Sequence, residues 1–326
     1  TKDHFDNLQK IVQNRFEGLY GELDVVHLEP SYYSDSYGIQ GRLDVLFASP
    51  EGTRKIIELK SGKPYNTDSS GINTSHKGQA FLYNLLTQSV YKDNQNSPCY
   101  ILYSSQTINS LRQSIPNHKI KKDLLIVRNS IVLMHYHLAF TNPENGSFLD
   151  KVQPEMIKTL DSFVRRDAEI WIKTYCALDE LERKYFKYFS YFVAREQLIA
   201  KTGLSGFTQT AGLASLWLFS REEKEMQFSI LADLLIKEIQ QTDNDAPVIS
   251  LENKFAQNLM TSFRLGDTLV FYPEFSDRQG ILSHQVYKCT LVGLSHSHCQ
   301  IRLRGRQFDT TSLPLNTTWN LEPDSL

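Results

Sequence analysis

Apolar positions change their period along this chain, and each change marks an element. From Phe5 to Leu19 they recur at helical spacing, which predicts an amphipathic helix. Val45-Leu46-Phe47 and Ile56 to Lys60 are short apolar runs either side of Ser49-Pro50-Glu51-Gly52, which predicts two strands of an antiparallel hairpin. Tyr65 to Lys77 is polar and rich in Gly, Ser and Asn, predicting a loop that closes over a substrate. A helix is expected over Gln79 to Ser89, a strand over Tyr100 to Tyr103, and a further helix opening at Asp123 to Asn129.

The pattern is then helical from Lys151 to Gln241, with aromatics and charges interleaved, as in Lys184-Tyr185-Phe186-Lys187-Tyr188-Phe189. That spacing favours core packing with solvated lysines over a stacking platform for single-stranded nucleic acid. After Thr242-Asp243-Asn244-Asp245-Ala246-Pro247 the chain turns to strands. Asp267 to Tyr272, Tyr287 to Gly293 and Gln300 to Arg304 predict a small β-barrel. The expected organisation is an α/β core over 1–150, a helical extension over 151–243 and a barrel over 244–326. No 20–50-residue repeat is evident.

Composition narrows the class. A chain of 326 residues is long enough for two domains, and its net charge of −2 carries no global nucleic-acid signature. Any DNA site must therefore be a local basic surface. Cys99, Cys176, Cys289 and Cys299 are scattered, so a reducing, cytoplasmic setting is expected rather than a disulfide framework. No apolar run approaches a membrane span, and no signal peptide is visible.

The candidate chemistry lies between Gly41 and Tyr83. Asp44 ends a Gly-anchored turn and opens the first strand of the hairpin. Glu58 and Lys60 are two apart on the second strand, so their side chains share a face and could converge with Asp44. Paired carboxylates repel unless a hard divalent cation neutralises them. Mg²⁺ or Mn²⁺ would take oxygen ligands from Asp44, Glu58 and the Leu59 backbone carbonyl. Lys60 would orient or deprotonate a water, or offset charge in the transition state. Gln79 and Tyr83, four apart, share a helix face and could hold the scissile phosphate or the water. Isolated Asp and Glu-x-Lys patterns are common on solvated surfaces, but charged residues inside a hydrophobic strand are usually paired or functional.

These strings resemble a known family. Gly38-Ile39-Gln40-Gly41-Arg42-Leu43-Asp44, then Glu58-Leu59-Lys60-Ser61-Gly62-Lys63, then His76-Lys77-Gly78-Gln79 through Tyr83-Asn84-Leu85-Leu86 look like the RecB-type branch of the PD-(D/E)-x-K nucleases. Within it they are most similar to the DNA replication helicase–nuclease family, which trims flaps and resected ends. Leu124 to Asn129 is similar to another string of that family.

The resemblance implies a restriction-endonuclease-like core, a mixed sheet flanked by helices. It implies Mg²⁺- or Mn²⁺-dependent cleavage of single-stranded DNA, flaps or ends, with a helicase motor in the same full-length chain and no membrane partner. It implies catalytic roles for Asp44, Glu58, Lys60, Gln79 and Tyr83, and a supporting acid at Glu29. Lys63, His76 and Lys77 become candidate DNA contacts. So do Arg302, Arg304 and Arg306, which alternate along one strand as either a phosphate track or a solvated edge.

Departures from the family also matter. Many relatives hold a four-iron cluster through a closely spaced cysteine trio; none exists here, so no cluster is expected. Cys289, His296, His298 and Cys299 lack zinc-site spacing. No phosphate loop occurs, so ATP hydrolysis is not expected, and the chain reads as a piece of a larger helicase–nuclease. The upstream histidine of RecB-type sites has no clear match; His4 reads as a helix-start residue. Two alternatives remain: a non-cleaving single-stranded DNA platform for a motor, and a stand-alone RecB-like nuclease.

Overall fold

The computed structural model describes residues 2–15, 25–65, 67, 69–92, 97–115, 117–144, 147–152, 154–158, 160, 162–203, 212–241, 245–255, 258–275, 280–305, 310 and 313–324. They form two compact units, one of Thr1–Leu124 with Leu216–Asp324, the other of Leu125–Ser215.

The first unit opens with helix α1 (Lys2–Arg15) and a sheet in the order β1-β4-β5-β6-β7: Val25–Leu28, Val45–Ala48, Arg54–Lys60, Cys99–Tyr103 and Leu111–Ser114. The expected hairpin is β4–β5, with Val45 opposite Ile57. β6 runs parallel to β5, placing Glu58 opposite Ile101, so the sheet is mixed. A separate hairpin, β2 (Ser31–Ser34) and β3 (Ile39–Arg42), leads into β4.

Alternation on β5 sorts its two faces. Ile57 packs with Val45, Phe47 and Leu102 against Leu8 and Ile11 of α1. Ile56 packs on the other face with Ala80, Leu86 and Val90 of α2 (Thr74–Tyr91). Glu58 and Lys60 share the parity of Ile56 and therefore face α2. This helix begins before the expected loop ends. The Asn73 side chain accepts a 2.8 Å hydrogen bond from Ser75 N, an N-cap that recruits residues 74–77 into the helix. Likewise α3 (His118–Phe140) starts ahead of the expected Asp123 opening, where Asn117 Oδ1 accepts from Lys119 N at 2.7 Å.

The C-terminal part of the first unit carries short helices α6 (Ser215–Leu218) and α7 (Arg221–Met226) and a closed barrel in the order β10-β11-β12-β9-β8-β13. Its strands are β8 (Leu231–Gln240), β9 (Val248–Asn253), β10 (Thr268–Glu274), β11 (Tyr287–Leu294), β12 (His298–Leu303) and β13 (Thr318–Pro323). Phe271 and Trp319 stack at 4.2 Å in its core beside Leu234, Ile249, Cys289 and Cys299. The helical expectation through Gln241 fails at β8. Leu-Ala-Asp-Leu-Leu-Ile-Lys-Glu-Ile-Gln has helical composition, but Leu231 and Leu234 are buried in the barrel and the strand pairs with both β9 and β13.

The second unit contains α4 (Ser162–Ala177) and α5 (Glu180–Thr202), the latter opened by a capping box of Asp179 and Glu182. Trp171 stacks on Tyr175 at 5.0 Å, and Tyr175 Oη donates to Asp150 at 2.8 Å. The α5 aromatics are not packed inside as expected. Tyr185 is 70% exposed and Phe189 and Phe192 are 54% exposed, with Tyr185 and Phe189 stacked along the surface. Lys187 is instead the half-sheltered residue, paired with Asp150 at 2.6 Å.

Candidate active site

The turn ahead of β4 fixes Asp44. Leu43 is fully buried, Leu43 N donates to Pro30 O at 3.0 Å, and Glu29 N donates to Asp44 O at 2.9 Å. The Asp44 carboxylate then accepts the Leu59 N–H at 2.6 Å, which ties it to β5 between the two charged residues of that strand.

Glu58 is 3% exposed. Its Oε1 accepts both Lys60 Nζ at 2.8 Å and Gln79 Nε2 at 2.6 Å. Gln79 Oε1 accepts Lys60 Nζ at 2.8 Å, closing a three-membered ring of contacts. Gln79 Nε2 also donates to Tyr83 Oη at 2.8 Å, and that hydroxyl donates to the Arg42 carbonyl at 2.9 Å. The sequence-predicted group Asp44, Glu58, Lys60, Gln79 and Tyr83 is thus brought together by β4, β5 and α2. Gly41 permits the approach: a Cβ there would meet Tyr83 Cε1 at 3.1 Å and Leu86 Cδ2 at 3.2 Å.

Electrostatics distinguishes the two oxygens of Glu58. Oε2 is buried and has no hydrogen-bond partner among the described residues. Burial pushes the Glu58 carboxyl up to about 7; its bond from Lys60 opposes the rise, and the neighbouring Asp44 charge adds to it. Burial also raises the Tyr83 hydroxyl, keeping it a neutral donor.

The remaining predicted residues occupy varied positions. Glu29 adopts a left-handed φ of 50°, its carboxylate lies 3.5 Å from Arg42 Nη1, and its backbone N–H is bonded to Asp44 O. Lys63 is exposed beyond β5, and Lys77 is half-buried in the first turn of α2. His76 is held by Tyr103: its Nδ1 lies 3.0 Å from Tyr103 Oη, which itself accepts Asn73 N at 3.2 Å. This contact engages Nδ1 and leaves Nε2 as the free ring nitrogen. Burial and the nearby Lys60 charge both lower the imidazole.

Arg302 and Arg304 belong to the barrel, outside the Glu58 network. β12 is paired on both sides, with β11 and β9, so Arg302 does not guard an open edge. Arg306 lies outside the described residues.

Sequence reading missed the supporting atoms: the Arg42 carbonyl, Asn73, Tyr103 and Ser104. Ser104 N donates to Lys60 O at 2.9 Å, and Ser104 Oγ lies 2.9 Å from His4 Nδ1, so His4 braces the strand end that carries Lys60. Only the strand register and helix phase could have found these, because each meets the site through a residue distant in sequence.

No group of three or more His, Cys, Asp and Glu side chains that could hold a metal occurs among the described residues. Two carboxylates do fit a hard cation that retains several waters, since Mg²⁺ is commonly bound through only one or two. The orphaned Oε2 of Glu58 is the open acceptor.

Fold and site define a mixed α/β protein with a mixed central sheet, a buried acid–lysine–amide cluster and a closed six-stranded barrel. No protein-family model and no curated protein matches this chain. No described helix is long and apolar enough to cross a membrane.

Proposed function

We propose that this chain is a divalent-metal-dependent deoxyribonuclease of the PD-(D/E)-x-K type, the nuclease part of a helicase–nuclease acting on single-stranded DNA, flaps or ends. The observation that carries it is the buried Glu58 carboxylate: one oxygen is held by Lys60 and Gln79, the other has no hydrogen-bond partner among the described residues, and the Asp44 carboxylate, tied to the same strand, is near enough to raise it. A carboxylate raised to about 7 by burial is at a cost when ionised, and a cation beside it removes that cost.

Asp44 and Glu58 would hold Mg²⁺ or Mn²⁺, with the Leu59 carbonyl as an expected third oxygen. When bound, the ion would acidify water and neutralise charge on the phosphate. Lys60 is positioned by Glu58 and Gln79 so that its ammonium group can orient the attacking water and offset the charge growing on the phosphoryl oxygens. Gln79 fixes the Lys60 rotamer and donates to Glu58. Tyr83 locks Gln79 to the Arg42 carbonyl and so joins β3 to the centre. His76, engaged at Nδ1 by Tyr103, would offer Nε2 to a phosphate oxygen.

The test is incubation with end-labelled single-stranded DNA in Mg²⁺ or Mn²⁺ beside a Lys60→Ala protein. Metal-dependent cutting lost in the variant supports the proposal; equal cutting by both refutes it.

A further inference from the structure

A cavity of about 500 Å³ lies between the β2–β3 hairpin and the β11–β12 side of the barrel. One wall carries Glu29, Gln40 and Arg42; the other carries Gln285, Lys288 and Arg304. The walls are joined by backbone, with Val286 N donating to Ser31 O at 2.9 Å.

Its charge is uneven. Arg42 faces Glu29 at 3.5 Å, and Lys288 faces the buried Asp324 at 3.0 Å. Arg304 is exposed and donates to a neutral partner, Thr268 Oγ1, at 3.2 Å. The three cations against two carboxylates leave an excess positive charge centred on Arg304. Between the charged groups lie amides and the apolar surfaces of Tyr33 and Leu303. Guanidinium, amide and aromatic groups around a cleft of this size suit a phosphodiester chain whose bases are unpaired, and the space is too small for a duplex.

Strand β3 lies between the cavity and the catalytic cluster: Gly41 turns toward Tyr83 and Leu86, and by alternation Gln40 and Arg42 turn to the opposite face, which lines the cavity.

We propose that this cavity is a single-stranded DNA subsite, in which Arg304 and Arg42 grip the backbone phosphates of the strand. The proposal rests on the nuclease reading for its choice of DNA. It gives the barrel a function that the catalytic cluster does not require: holding the strand that the first sheet cuts.

Binding of fluorescent oligo-dT is measured by anisotropy over a salt series, without divalent metal, for the wild type, Arg304→Glu and Arg304→Lys. Circular dichroism and the unfolding midpoint confirm that each variant is folded. The charge reversal is expected to weaken binding roughly tenfold and to lower the salt slope by about 1, with substantial recovery in Arg304→Lys. Unchanged affinity and slope in folded Arg304→Glu overturn the subsite. Oligo-rU bound more tightly than oligo-dT through Arg304 overturns the assignment to DNA. The two readings fail separately. Loss of oligo-dT binding in Arg304→Glu with no metal-dependent cutting by the wild type retains the subsite and removes the nuclease. Cutting and binding both unaffected by Arg304→Glu retain the nuclease and remove the subsite.

Discussion

Lys60 Nζ and Glu58 Oε1 lie 2.8 Å apart on one face of β5, and Gln79 contacts both. The pair is not a surface ion pair, because Glu58 is almost fully buried and its second oxygen has no hydrogen-bond partner among the described residues. A buried charge with an open acceptor destabilises the fold unless something compensates it. Function is the simplest reason to keep one.

This has a signed consequence for pH. The Glu58 carboxyl rises from 4.5 to about 7 on folding, so the folded state binds the proton more tightly than the unfolded chain. The associated stability is fully present below pH 4.5 and is lost as pH rises through about 7. The loss is on the order of 3 kcal/mol at most, from about 1.4 kcal/mol per pKa unit. Thermal unfolding without metal should therefore show a falling midpoint from pH 5 to pH 8. Glu58→Gln should flatten that slope, and millimolar Mn²⁺ should restore the wild-type midpoint at pH 8 while leaving Glu58→Gln unmoved.

Tyr83→Phe removes the hydroxyl that accepts from Gln79 and donates to the Arg42 carbonyl. Two hydrogen bonds are lost in a half-buried setting, and about 1–2 kcal/mol of stability should go with them. Cleavage should fall by about tenfold or more, chiefly in kcat, because Gln79 loses its anchor while the carboxylates remain. Denaturant titration and steady-state kinetics on the same preparation check both.

Gly41→Ala places a methyl group 3.1 Å from the Tyr83 ring and 3.2 Å from Leu86. One of them must yield by a few tenths of an ångström, so a loss of about 1–2 kcal/mol is expected. The double variant Gly41→Ala with Tyr83→Phe should be non-additive, since both act through the same ring.

Away from the site, Lys224 Nζ lies 2.9 Å from Glu322 Oε2, and Tyr272 Oη donates to the same carboxylate. Burial raises the Glu322 carboxyl, and Lys224 opposes that shift. Lys224→Ala leaves an uncompensated buried acid beneath the barrel and should cost about 3–5 kcal/mol. Unfolding followed by tryptophan fluorescence, to which the buried Trp319 contributes, checks this.

Much of the site was legible because its chemistry sits on short-range patterns. The alternation around Ile56 to Lys60 put Glu58 and Lys60 on one face, and the four-residue spacing put Gln79 with Tyr83; both hold in the structure. What stayed hidden depends on partners distant in sequence. β8 has the composition of a helix and becomes a strand only because β9 and β13 pair with it. The left-handed backbone of Glu29 and its ion pair with the Arg42 guanidinium were likewise not visible in the sequence. Tyr185 and Phe189 read as core because aromatic spacing on a helix cannot reveal which face meets solvent.

The most direct measurement is single-turnover cleavage of end-labelled single-stranded DNA in Mn²⁺ by the wild type and by Glu58→Gln, with DNA binding measured in parallel. The account predicts cutting by the wild type, a loss of at least about a hundredfold in the variant, and unchanged binding. Equal cleavage by the two proteins would contradict it, because the buried carboxylate would then have no part in the reaction.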